Sequence, residues 1–369
     1  MKKEYQVVLH LLQVGLWDLS PNMDYLSHDI DWELILKLAS DQTIVGIIAD
    51  ALVKLPPVLR PPKSIYYLII KKADEIEKEN IKMYERIPML VKSFRDRGVQ
   101  VILLKGQGVG LSYNNPYRRT SGDVDFYTGY DANQFEKAKL ILKELHTNGF
   151  KELAYKKHVE SFVDEIKVEI HGEIQFRISR RFDANFGEWM KECFSTESVV
   201  VKKKSNNEIL LPPYRFDAIF IFAHALNHYM NGGVGLRQLC DWMCYLKKNN
   251  SKINNWQLEK DLDFLGLTKY WKYLAAMAVE RLGMEKEMMP LYDRYYGKYK
   301  DKLLLHVFST GNFGNLQKQN HKKHELKLWK KIKTFYGQLF LYWDNFLMFP
   351  KDTLHCFKFF VVNNIVNYN

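Results

Sequence analysis

The sequence predicts an α+β fold, a small mixed β-sheet core flanked by N-terminal and C-terminal helical regions. Three observations predict it. Most of residues 1–98 and 182–299 repeat apolar positions every three or four residues, the period of a buried helix face. Residues 99–175 switch to short apolar or alternating runs separated by glycine and Asn-Pro turn signals. These runs come in the order strand, helix, strand, helix, then a β-meander, which builds a sheet covered by helices on one side.

The elements follow in chain order. Residues 5–17 and 32–55 are apolar at helical spacing, and the second run stops at Pro56-Pro57. Residues 64–97 form another long periodic stretch. Strands are expected at 99–105 and 123–128, with a glycine turn, a short helix and the Asn114-Asn115-Pro116 turn between them. A helix capped by Asp131 and closed by Gly149 comes next. Alternation at 150–155, 161–163 and 167–174 predicts three more strands. A hairpin at 199–211, turning at Ser205-Asn206-Asn207, interrupts the second helical region. Helices return at 215–229, 235–248, 256–265 and 269–282. The expected division is an N-terminal helical region at 1–98, an α/β core at 99–181, a helical domain closing a cleft at 182–299, and a basic, aromatic tail at 300–369.

Bulk properties narrow the class. The chain has 369 residues, 47% hydrophobic and 26% charged, long enough for two or three packed domains and too apolar for a disordered chain. Its net charge of +11 suits an anionic partner, whether nucleotide, nucleic acid or membrane surface. Cys193, Cys240, Cys244 and Cys356 form neither a CxxC pair nor a four-ligand zinc spacing. No apolar run is long enough to span a bilayer, and the N-terminus does not read as a signal peptide. These features predict a cytoplasmic protein. The run 327–349 reads either as an amphipathic helix in peripheral contact with a membrane or as a helix packed on the body, and its high apolar content favours burial.

The chemistry concentrates in residues 101–128. Asp123 and Asp125 are two residues apart, so a strand puts both carboxylates on one face. Like charges so placed call for a cation, and carboxylate ligands suit Mg²⁺ or Mn²⁺. Lys105-Gly106 closes an apolar strand and opens a helix, a place for phosphate. Arg118 and Arg119 precede the acidic pair and suit phosphate oxygens, and Gly122 allows close backbone approach. Downstream, strand spacing places Glu169, His171 and Glu173 on one face. If that strand lies beside the acidic pair, Asp123, Asp125 and Glu169 form a metal-binding catalytic triad. Two-metal phosphoryl transfer follows from such a triad, with Glu169 as the expected base.

This arrangement resembles the nucleotidyltransferase superfold of DNA polymerase β and the aminoglycoside nucleotidyltransferases. More narrowly, it is similar to the uncharacterised bacterial nucleotidyltransferase family proteins. The resemblance rests on Lys105-Gly106, Arg119, Gly122-Asp123-Val124-Asp125 and Glu169-Ile170-His171, then His224, His228, Arg237 and Asp241, and covers roughly residues 30–285. It implies a metal-dependent enzyme that moves a nucleoside monophosphate from a nucleoside triphosphate to a hydroxyl on an unknown acceptor: small molecule, sugar, RNA or protein. It also implies that Lys105, Gly106, Gln107, Arg118, Arg119, Gly122, His171, His224 and His228 bind nucleotide or phosphate. The sequence departs from the pattern at Gln107, where a serine is usual, and at Glu169, where an aspartate is expected. Those departures support an alternative, a weak or inactive nucleotide- or RNA-binding protein on the same fold. His224 and His228, one helical turn apart, read as cleft lining, a core pair or, with Asp241, a zinc site. Arg237 and Asp241 are spaced for an intrahelical pair. Arg177, Arg180 and Arg181 form a basic cluster that reads either as an anion contact or as a solvated turn.

Overall fold

A computed structural model of the chain describes residues 1–26, 29–129, 131–153, 157–204, 207–312, 342, 346 and 348–361. The first helices are α1 (Lys3–Trp17), α2 (Trp32–Asp41), α3 (Val45–Leu52) and the long α4 (Lys63–Arg95). Asp31 starts α2 by accepting the Leu34 N–H at 2.9 Å. Next come β1 (Ile102–Leu104), α5 (Gly106–Gly110), β2 (Val124–Tyr127) and α6 (Ala132–Leu145). The meander is β3 (Asn148–Leu153), β4 (His158–Val163) and β5 (Ile166–His171). After α7 (Arg180–Thr196) come β6 (Val200–Lys204) and β7 (Asn207–Leu211). The second helical region holds α8 (Tyr214–Asn231), α9 (Leu236–Asn249), α10 (Asn255–Leu265), α11 (Thr268–Leu282) and α12 (Lys300–Thr310). Beyond it lies α13 (Pro350–Val361). The fold is α+β, as the sequence predicts.

The seven strands form one mixed sheet in the order β3-β4-β5-β2-β1-β7-β6. β2 runs antiparallel to β1 and parallel to β5, with Asp125 opposite both Leu104 and Glu169. The hairpin expected as an excursion among helices belongs to this sheet, because β7 pairs parallel with β1 through Ile102 and Leu210. Sequence spacing shows a hairpin's turn but not which distant edge it will cover.

The two faces of the sheet differ. Val124, Phe126, Val168 and Ile170 are fully buried against α6 and the second half of α4. The alternate positions, Asp125, Tyr127, Glu169 and His171, point to the opposite face. There Ile102, Leu104 and Tyr127 join a larger core built from α1, α3, α8, α9 and α11. The acidic residues therefore sit where a polar patch of the sheet meets a helical layer. Among the described residues no helix is long and apolar enough to cross a membrane. The expected helix at 327–349 lies almost wholly outside the described residues.

Candidate active site

Asp125 is held by its strand. Its neighbours Val124 and Phe126 are completely buried, so the backbone cannot turn and the carboxylate is 1% exposed. Oδ1 accepts from Lys105 Nζ at 3.1 Å and from His171 Nε2 at 2.9 Å. Oδ2 is buried and has no hydrogen-bond partner among the described residues. Burial opposes ionisation of Asp125, but Lys105 and the bond from His171 outweigh it and hold the carboxyl below its usual range. Asp123 immediately precedes β2, and burial together with the Asp125 charge pushes its carboxyl up to about 6.

Lys105 joins β1 to α5 in a conformation that lysine seldom adopts, with φ 34°. Such strain persists only where surrounding contacts over-determine it. Here the ammonium is drawn to the acidic group: burial disfavours its charge, but Asp125, Asp123 and Glu169 more than restore it.

Parallel pairing brings Glu169 beside Asp125. Oε2 of Glu169 accepts from His158 Nε2 at 3.2 Å, and Oε1 accepts from Lys167 Nζ. Burial would raise this carboxyl, but those two bonds hold it well below the usual carboxylate range. The His158 and His171 rings stack in parallel, with centroids 4.6 Å apart. One oxygen from each of Asp123, Asp125 and Glu169 lies within 4.8 Å of the other two. The nitrogens of His158 and His171 meet Glu169 in a second group of the same kind. An all-oxygen set with a buried, unpartnered acceptor fits a hard divalent cation.

Two cavities flank this group. One of about 310 Å³ is lined by Gly106, Arg119, Gly122, Asp123, Asp125 and Arg237, among others. The other, about 500 Å³, is lined by residues that include His158, His171, Phe176, Arg177 and Phe220. Lys105, His224 and His228 contribute to both. His224 and His228 approach each other through Nε2 at 3.4 Å. Burial, then the Lys105 charge, push His224 well below its ordinary value and His228 down to about 4, so both rings are neutral near pH 7. Neither belongs to a candidate metal group among the described residues.

Several residues singled out in the sequence lie elsewhere. The Gln107 side chain is buried against Met83 Sδ at 2.7 Å, and Gln107 is not among the residues lining either cavity. Arg118 turns to Asp50, Asp74 and Glu77 on α3 and α4, at 3.1–3.5 Å. Arg181 pairs with Asp263 on the surface. Arg119 reaches the smaller cavity but binds Asp241 in a two-pronged pair, at 2.7 and 2.8 Å. Asp241 also accepts from the Tyr113 hydroxyl at 2.6 Å, which leaves its expected helical partner Arg237 at 3.6 Å. His158 and Lys167 were not singled out in the sequence. The only sequence signal for His158 is its place at the start of an alternating run, and its register opposite His171 exists only in the paired sheet.

A family model described as "Uncharacterised nucleotidyltransferase" matches residues 28–283, more than half of the chain. No curated protein and no solved structure matches.

Proposed function

We propose that this chain, which belongs to the uncharacterised nucleotidyltransferase family, transfers a nucleoside monophosphate from a nucleoside triphosphate to a hydroxyl on a separate acceptor. The observation that carries the reading is the register of β2 and β5, which sets Asp125 opposite Glu169, with Asp125 Oδ2 buried and without a partner among the described residues. Asp123, Asp125 and Glu169 would hold Mg²⁺ or Mn²⁺. The bound ion would neutralise charge on the triphosphate and acidify the attacking hydroxyl. The acceptor oxygen forms a bond to the α-phosphorus, the bond to pyrophosphate breaks, and the hydroxyl proton leaves to solvent.

The protein's own groups hold that geometry in place. Lys105 and His171 keep Asp125 ionised and fix its orientation. His158 and Lys167 do the same for Glu169. Held in its ionised form by these two donors, Glu169 is available as a metal ligand and orienter. The smaller cavity suits the polyphosphate, since it contains Lys105, Arg119 and Arg237. The larger cavity, on the Glu169 side, gives room for the acceptor. His224 and His228 stand between them as neutral hydrogen-bonding groups.

The test is calorimetric titration with ATP, CTP, GTP and UTP in Mg²⁺, on the wild type and on Asp123→Asn/Asp125→Asn. At least one nucleotide is expected to bind the wild type and to lose most of its affinity for the double variant. Equal binding by both proteins would sink the metal reading.

A second reading, nucleotide or RNA binding without turnover, draws support from two observations. Gln107 is buried where a phosphate-touching serine would be exposed, and both oxygens of Glu169 already have donors within the protein. Nucleotide binding with no transfer of α-labelled nucleotide to any component of a cell extract would favour it.

A further inference from the structure

Two arginines in the smaller cavity, Arg119 buried and Arg237 half-buried, share one carboxylate, and the sharing is unequal. Asp241 Oδ1 accepts from Arg119 Nε and from Tyr113, and Oδ2 accepts from the second prong of Arg119. Those bonds fill the carboxylate's better directions. Arg237, one helical turn away on α9, is left 3.6 Å from Oδ2, beyond hydrogen-bond reach. Its Nε is buried and has no hydrogen-bond partner among the described residues. Burial and the neighbouring Arg119 both work against its charge and lower its pKa, yet an arginine stays protonated at any ordinary pH.

Among the described residues the other cations of this cavity pair off. Lys105 is matched by Asp125, and Arg119 by Asp241. Among the described residues Arg237 is the guanidinium left over, in a cavity that Asp123 and Asp125 also line, and the Asp123 charge favours its ionised form. A cation this far withdrawn from water and only half satisfied is costly unless an anion arrives to complete it. Planar guanidinium donors match phosphate oxygens in a two-pronged geometry. Ser121 and Gly122 line the same cavity, and an added Cβ at Gly122 would enter open space.

We infer that Arg237 is a polyphosphate-binding residue that grips the part of the triphosphate leaving as pyrophosphate, with Arg119 serving to hold Asp241 away from it. The inference rests on the nucleotidyl-transfer reading for its substrate, but its test does not need turnover. Arg237 touches the leaving group and not the reacting hydroxyl, so its loss should follow the phosphate chain and not the base.

The experiment titrates inorganic tripolyphosphate with Mg²⁺, then ATP and AMP, into the wild type, Arg237→Gln and Arg237→Lys. Thermal melting of each variant reports whether it is folded. Wild-type protein is expected to bind tripolyphosphate, and Arg237→Gln to lose roughly ten- to a hundredfold in affinity for it and for ATP, as removal of a two-pronged charged contact does. AMP binding is expected to be unchanged. Arg237→Lys, which keeps the charge but not the fork, is expected to fall between and decides the matter if the glutamine variant unfolds. Equal tripolyphosphate affinity in a folded variant and wild type overturns the inference, as does a wild type that binds none. Tripolyphosphate binding lost in the variant, with no nucleotide transfer by wild type, keeps the anion site and sinks only the transfer reaction.

Discussion

Asp241 shows how one side chain can set the state of several others. It is 6% exposed and accepts three hydrogen bonds, two of them from Arg119. Without Arg119, Asp241 keeps Tyr113 and the more distant Arg237, so the loss is that of its two charged hydrogen bonds. Arg119→Met is therefore expected to lower unfolding free energy by about 1–3 kcal/mol in urea titration, and no measurable loss would show the pair to be dispensable. Asp217, in the first turn of α8, behaves in the opposite way. It is buried, its Oδ1 has no partner among the described residues, and burial alone raises its pKa well above the ordinary value. Between the unfolded value and that raised one, the native state binds more protons than the unfolded state, so stability falls as pH rises. Asp217→Asn removes this dependence. It is expected to stabilise the protein at pH 7 by about 1–3 kcal/mol and to give no gain near pH 4, read from melts across that range. A constant difference at both pH values would contradict the assignment.

The elements carry the site through close approaches that few sequences permit. Gly46, near the start of α3, lies under the loop that leads to Asp123. A Cβ there would stand 2.1 Å from the Arg118 carbonyl oxygen. Gly46→Ala must push that loop outward, with a cost of about 1–3 kcal/mol as in other overpacked contacts. A lowered melting temperature together with weaker tripolyphosphate binding is expected, because Arg119 moves with the loop. An unchanged melt would mean that the loop gives way freely. The helix α4 has a double role: Ile69 and Ala73 pack into the larger core, while Ile87, Leu90 and Phe94 cover the sheet. Pro88 lies inside it, among the residues that cover the sheet, and removes one helical hydrogen bond there.

At the scale of the molecule, α1–α3 share one core with α8, α9, α11 and α12, and Cys356 of α13 joins it. The Trp17 indole donates to the Leu282 carbonyl at 2.8 Å, and Gln42 donates to the Val307 carbonyl at 3.1 Å. These bonds tie the first helices to α11 and α12. Residues 1–98 by themselves would leave much of their apolar surface exposed, so the helical regions are expected to unfold together. Tryptophan fluorescence and far-ultraviolet circular dichroism should then trace coincident urea transitions. Two resolved transitions would mean that the first helices form an independent unit. α13 is docked by Tyr270 on Asp352 at 2.6 Å and by His355 on Asp183 at 2.9 Å, and Tyr342 and Phe360 close part of the larger cavity. That wall lies beyond residues 28–283, the span of the family match, so the larger cavity draws on chain outside it.

By itself the sequence determined the α+β class, the helical flanks, and the alternation that puts Asp125 on one face of a strand and Glu169 on one face of another. Those follow from local periodicity, which needs only neighbouring residues. It also determined the family, through the order and spacing of short motifs. Tertiary structure decided the rest: that β5 lies beside β2, that β7 completes the sheet at β1, that His158 and Lys167 hold Glu169, and that Gln107 and Arg118 turn away. It also decided that Arg119, and not Arg237, takes Asp241. Pairing between residues 122 positions apart depends on how whole layers pack, and helical spacing favours the near partner whether or not a better one arrives from across the fold.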